Sequence, residues 1–129
     1  MKHIAHAALV AVLVSVMSGS GFAQDLTQCL REEPLKFRNT CQVPIRVFYK
    51  LRAEIADPAK INEWMQLAPG QEGDLNYFSV DEVTKGGGIV RVVCAAGQDA
   101  LEADGRCPWR GRSASPRCGP HLDARPLCN

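Results

Sequence analysis

The chain has 129 residues, 46% of them hydrophobic, and carries 15 Lys and Arg against 14 Asp and Glu for a formal net charge of +1. So even a balance excludes the dominant basic field of a nucleic-acid binder. The length fits one domain with a modest core, and no apolar run reaches the roughly 20 residues that a membrane-spanning helix needs.

Lys2 is followed by an apolar run from Ile4 to Met17 and by Gly21-Phe22-Ala23. A positive start, a short apolar stretch and small residues at the cut are the marks of a secretory signal. Residues 1–23 are therefore read as a leader whose removal leaves 106 residues in the periplasm or outside the cell. Lipid attachment at Cys29 is disfavoured, because Gln28 stands where a small residue is required. All six cysteines lie beyond the leader, in a compartment where thiols pair.

Residues 24–104 read as the folded domain and 105–129 as a cysteine-rich tail. Leu35, Phe37 and Asn39 alternate with Lys36, Arg38 and Thr40. Val43, Ile45, Val47, Tyr49 and Leu51 then share one parity, and Arg46, Lys50 and Arg52 the other. Strand side chains alternate between faces, so this predicts a half-buried strand with a core face and a basic outer face. Phe48 interrupts that basic face. Over 53–66 a short helix is expected, with Asp57 as cap, Pro58 at the first position and Ile61, Trp64 and Met65 on one face. A loop leading into a strand at Glu63–Leu67 is the alternative. Pro69-Gly70 marks a turn, Leu75–Val80 a strand, Gly86–Gly88 a connection and Ile89–Cys94 a buried β-branched strand. Ala100–Ala103 suggests a helical turn, and beyond Gly105 the chain is rich in Arg, Pro and Gly.

Cys29, Cys41, Cys94, Cys107, Cys118 and Cys128 contain no C-x-x-C pair, so neither a zinc knuckle nor a thioredoxin-type redox site is offered. Six cysteines allow fifteen pairings. Cys41–Cys94 is the favoured bridge, because both residues flank predicted strands. The tail cysteines then pair among themselves or with Cys29.

No catalytic or metal-ligating constellation stands out, and no cofactor is expected. His121 is the only histidine outside the leader, in a proline-flanked loop. Ser79, Ser113 and Ser115 lack a nucleophile-elbow context. Gly86-Gly87-Gly88 precedes a strand and lacks the lysine-serine/threonine pair of a phosphate loop. A carboxylate pair such as Glu72 with Asp81 would be needed for glycosidase chemistry. The candidate contact residues are Arg46, Phe48, Lys50 and Arg52 on the basic strand face, and Trp109, Arg110 and Arg112 in the tail. Charge is segregated: residues 24–53 carry six bases against three acids, 54–104 three against ten, and 105–129 five against one.

The string Phe37-Arg38-Asn39-Thr40-Cys41, the alternating Val43 to Tyr49, Leu67-Ala68-Pro69-Gly70 and Val90–Cys94 resembles a loose class of small exported bacterial proteins. It shares their Asn-x-Cys opening, Val/Tyr strand, Leu-x-Pro-Gly turn and cysteine-ended strand. A weaker similarity extends to the first strand of thaumatin-like domains. The resemblance covers residues 37–94 and implies a β-sandwich in the periplasm or outside the cell; it brings no catalytic residues.

The expectation is an all-β protein: a small antiparallel β-sandwich with a disulfide-pinned Arg/Pro-rich C-terminal tail. It is read as a monomeric, non-enzymatic, disulfide-stabilised domain contacting a protein or an anionic surface polymer. The alternatives are a small carboxylate-dependent hydrolase and an inhibitor presenting a disulfide-looped arginine.

Overall fold

Parity governs the centre of the molecule. In the computed structural model, strand β3 (Ile45–Leu51) points Ile45, Val47, Tyr49 and Leu51 to one side and Arg46, Phe48 and Lys50 to the other. The structure describes residues 25–75, 78–122 and 128. The leader expected over 1–23 lies outside them.

Around β3 stand β1 (Leu30–Glu33), β2 (Lys36–Asn39), β4 (Glu63–Leu67), β5 (Glu72–Asp74), β6 (Ile89–Ala95), β7 (Asp99–Leu101) and β8 (Arg117–Gly119). They form three antiparallel sheets, ordered β1-β2-β5, β4-β3-β6 and β7-β8. The fold is all-β and disulfide-stabilised. Among the described residues one α-helix accompanies it, α1 (Val80–Lys85).

The β4-β3-β6 sheet lies between two apolar clusters. On one face Ile45, Val47, Tyr49 and Val93 pack with Phe37 of the β1-β2-β5 sheet and with Leu26, Cys29, Leu67 and Leu75. On the other, Phe48, Val90, Val92 and Cys94 pack with Ala100, Trp109 and Cys118. The expected basic outer face is therefore corrected. The tail covers it as a third layer, and β3 is buried on both sides rather than half-buried.

Three disulfides crosslink the fold, Cys29–Cys41, Cys94–Cys118 and Cys107–Cys128, of which the second ties the third layer to the central sheet. The expected Cys41–Cys94 bridge does not form, for a geometric reason. Cys41 packs against the first cluster and Cys94 belongs to the second, on the opposite side of the sheet. Cys41 instead meets Cys29 because the β1–β2 hairpin pairs Leu30 with Asn39, which brings the two hairpin ends together. Cys94 faces the third layer, where β8 delivers Cys118.

Three local expectations are also corrected. The segment 53–66 is not helical beyond a single 3-10 turn at Arg52–Glu54. Asp57 Oδ1 accepts the Ala59 amide at 3.0 Å in a turn, and Lys60 turns its carbonyl inward. Residues 63–67 then pair with β3 over five positions, the strand alternative. Of the strand expected over Leu75–Val80, Ser79 instead accepts the Glu82 amide at 3.0 Å and starts α1, while Asn76 and Tyr77 lie outside the described residues. Ala100–Ala103 makes no helical turn, because Asp99–Leu101 pairs with 117–119.

Asn39 joins the two sheets. It is fully buried, and its Nδ2 donates to Val43 O at 2.7 Å and Leu67 O at 3.1 Å. Its Oδ1 accepts the Cys41 amide at 2.9 Å, and its carbonyl accepts from Gly70 N at 2.9 Å. The Asn-x-Cys and Leu-x-Pro-Gly strings thus meet around one side chain.

Candidate functional site

The third layer is built on a tryptophan. Trp109 is buried against Phe48, and its Nε1 donates to Ser113 O at 3.0 Å, closing residues 109–113 into a tight loop. Trp109 N donates to Ala100 O at 2.8 Å. Glu102 holds the outside of the loop, accepting Arg110 N at 3.2 Å and Ser113 Oγ at 2.8 Å. Gly111 turns inward at φ 77, where its carbonyl accepts from Ala56 N at 2.7 Å and from Lys50 Nζ at 3.3 Å. Burying Gly111 in a left-handed turn places its neighbours Arg110 and Arg112 on the exposed side.

These arginines differ from most of the cations elsewhere. Lys36 and Arg38 bridge to Glu72, Arg31 to Glu33, Arg46 to Asp99, Lys85 to Asp81 and Arg91 to Glu32. Arg106, Arg110, Arg112 and Arg117 are exposed, and among the described residues none has a carboxylate partner. The nearby acids are engaged by other donors: Glu102 as above, and Asp104 by the Arg106 amide at 3.0 Å. A small concavity between Glu102, Asp104, Arg110, Arg112 and the Cys107–Cys128 bridge lies at the surface.

The predicted contact residues therefore separate. Phe48, Lys50 and Trp109 are buried and belong to the packing of the third layer, not to a contact surface. Lys50 is 2% exposed, and its ammonium donates to the carbonyls of Asp57, Lys60 and Gly111 at 3.3, 2.8 and 3.3 Å. Arg52 is exposed, with its Nε donating to Gly87 O at 3.1 Å. Arg46 is half-buried and paired with Asp99 at 3.0 Å. Of the predicted contact residues, only Arg110 and Arg112 present exposed guanidinium groups with no hydrogen-bond or carboxylate partner among the described residues.

Sequence reasoning missed Trp64. Placed on a helix face it reads as core, whereas on β4 it points outward and is 55% exposed. The period of two was the available signal: Met65 and Leu67 turn inward, so Trp64 and Gln66 turn out. The Arg46 guanidinium lies 4.8 Å from the Trp64 ring centroid, and Asp99 Oδ2 lies 2.5 Å from His121 Nδ1.

The catalytic candidates do not come together. Glu72 is bridged to Lys36 and Arg38, and Asp81 to its own helix neighbour Lys85. The hydroxyls of Ser79 and Ser113 are bonded to Glu82 and Glu102. Glu54, Glu63 and Glu82 do line one cavity, of about 330 Å³, with Lys60. Among the described residues no group of three His, Cys, Asp or Glu side chains is placed to hold a metal. No described helix is long and apolar enough to cross a membrane.

Comparison with known proteins adds no assignment: no family model, curated protein or solved structure matches the chain.

Proposed function

We propose that the chain acts, after export to the periplasm or the cell exterior, as a non-enzymatic binding domain that contacts an anionic partner through Arg110 and Arg112. The observation that carries this is the contrast in pairing. Most cations elsewhere in the domain are paired with carboxylates, while the 109–113 loop holds two exposed guanidinium groups that no carboxylate meets among the described residues. Arginine suits this work because its planar fork takes carboxylate, sulfate or phosphate oxygens bidentately. A loop fixed beforehand loses little freedom on binding.

The reading rests also on the three disulfides, which fit an oxidising compartment. The partner class is an acidic protein surface or an anionic surface polymer. An inhibitor that mimics an extended substrate is disfavoured at this loop. Gly111 holds φ 77 with its carbonyl buried, so Arg110 to Arg112 is not a continuous extended segment.

The test is binding of the refolded, oxidised protein to an immobilised sulfated polysaccharide and to an acidic polypeptide, at two salt concentrations. Wild type should bind at least one of them in a salt-sensitive manner, and R110E/R112E should not. Equal retention of wild type and variant would overturn the assignment.

The carboxylate cavity gives the hydrolase reading its one foothold. Glu54→Gln, Glu63→Gln and Glu82→Gln should leave binding unchanged. Polymer cleavage by wild type that these variants abolish would replace the binding reading with catalysis.

A further inference from the structure

We infer that Trp64, with Arg46, Asp99 and His121 beside it, forms a saccharide-binding site separate from the arginine loop. Phe37, Phe48, Tyr49 and Trp109 are all buried in the two apolar clusters. Trp64 stands on edge strand β4, directly opposite Phe48 in the ladder, with more than half its surface exposed. Among the described residues the third layer packs on Phe48 and β6, while the indole of Trp64 is exposed beside a line of polar groups.

Those groups come from three separate parts of the chain. Arg46 on β3 donates through Nη1 to Asp99 Oδ1 at 3.0 Å and to Gln98 O at 3.1 Å. Asp99 on β7 contacts His121, beyond β8, through its second oxygen at 2.5 Å. Arg46 stacks on Trp64. Ring, guanidinium, carboxylate and imidazole therefore form a connected row, and Gln66 is exposed on the same face of β4 as Trp64.

A pyranose ring matches this row. Its C–H face is apolar and slightly positive, complementary to the negative face of an indole. Its hydroxyls radiate from the ring edge, each able to donate and accept. Arg46 supplies donors, Asp99 an acceptor, and Gln66 groups of either kind. An aromatic platform with a few placed polar groups is how a polyhydroxyl ligand is oriented. The groups hold one another in place, so ordering them on binding costs little. A protein hot spot would instead be ringed by contacts that exclude water; here the ring is bordered by the Arg46–Asp99 ion pair and the exposed Gln66. One guanidinium faces one carboxylate, which gives the row no strong preference for anions, unlike the arginine loop.

The molecule has two tryptophans, and the other is buried, so Trp64 is the fluorophore that a ligand can reach. The full oxidised chain is titrated with three hexasaccharides: a neutral β-glucan, an N-acetylhexosamine polymer fragment and one with alternating uronic acids. At least one should produce a saturable fluorescence change, and the set distinguishes a neutral from a carboxylated sugar. W64A should weaken binding about tenfold or more, measured by calorimetry, while W64F retains most of it. D99N should weaken it several-fold. R110E/R112E should bind like wild type, which keeps this inference separate from the arginine reading. Because Trp64 is exposed, W64A and W64F should unfold at the wild-type temperature. No saturable response to any of the three sugars would overturn the site. So would wild-type affinity in W64A, a W64F variant as weak as W64A, or loss of binding in R110E/R112E.

Discussion

The ammonium of Lys50 and the carbonyl of Gly111 meet inside the protein at 3.3 Å, and this contact joins the tail to the central strand. The same ammonium takes the carbonyls of Asp57 and Lys60, so one side chain gathers three chain segments. The fit is close on both sides. A Cβ on Gly111 would stand 2.6 Å from Nζ and nearer still to Cδ.

Gly111→Ala should therefore destabilise the protein by about 3 kcal/mol, through crowding of a packed interior together with a left-handed backbone. Lys50→Met, similar in volume, should cost about 2 kcal/mol because it removes the charged donor that three carbonyls share, although Asp57 O and Gly111 O keep their amide donors. The two effects should not add. In a Lys50→Ala background the crowding vanishes, and Gly111→Ala should retain only the backbone penalty of about 1–2 kcal/mol. Denaturant titration of wild type, Gly111→Ala, Lys50→Ala and the double variant checks this, and strict additivity would show that the two residues do not touch.

Asn39 makes a second test of the interior. Its amide donates twice and accepts once, to Val43 and Cys41 of the β2–β3 loop and to Leu67 at the end of β4. Asn39→Asp keeps the acceptor but places a carboxylate against two carbonyl oxygens. It should cost more than Asn39→Ala, which leaves about three orphaned groups at roughly 1–3 kcal/mol for a typical buried one. Thermal melts at neutral pH would reveal the order, and an Asp variant as stable as wild type would mean that the site is wet.

The all-β class and the two longest strands were legible because alternation and β-branched runs report burial directly: Ile45 to Leu51 and Ile89 to Cys94 need no tertiary information. The second buried face of β3 was not legible. Arg46 and Lys50 look solvated in sequence, and only the tail folding back over Phe48 turns Lys50 into an interior group. The disulfide partners were hidden for the same reason, since which face a cysteine occupies depends on the layer that covers it. Trp64 shows a competition between periods. Ile61, Trp64 and Met65 fit a helix, but pairing of residues 63–67 with β3 outweighs that weak local preference. The start of α1 was readable and missed: Ser79-Val80-Asp81-Glu82 is a capping box with acids in the first turn.

That box gives a local prediction. Ser79→Ala removes the acceptor for the Glu82 amide and should cost about 1 kcal/mol. Because α1 has six residues and no buried side chain, the loss should stay local. Amide exchange should quicken over 80–85 while the β3–β6 ladder stays protected. Uniform acceleration across the ladder would mean that the helix is integral to the core.

The disulfides should differ in importance for a reason other than loop length. Their separations are 12, 24 and 21 residues, for which the chain-entropy model gives about 3 kcal/mol each, too similar to rank them. Burial ranks them instead. Cys94 and Cys118 lie inside the second apolar cluster, while Cys107 and Cys128 are half-exposed at the edge of the tail. Replacing both cysteines of the first pair by Ala adds a cavity term to the lost crosslink, for a total above about 4 kcal/mol. The same change at Cys107 and Cys128 should cost about 3 kcal/mol and leave the β4-β3-β6 core folded. The untreated chain should show a mass lower by six hydrogens than its reduced form and no thiol open to alkylation. Under graded reduction, Cys107 and Cys128 should be alkylated first. Earlier labelling of Cys94 and Cys118 would mean that the third layer lifts off the sheet before its outer bridge opens.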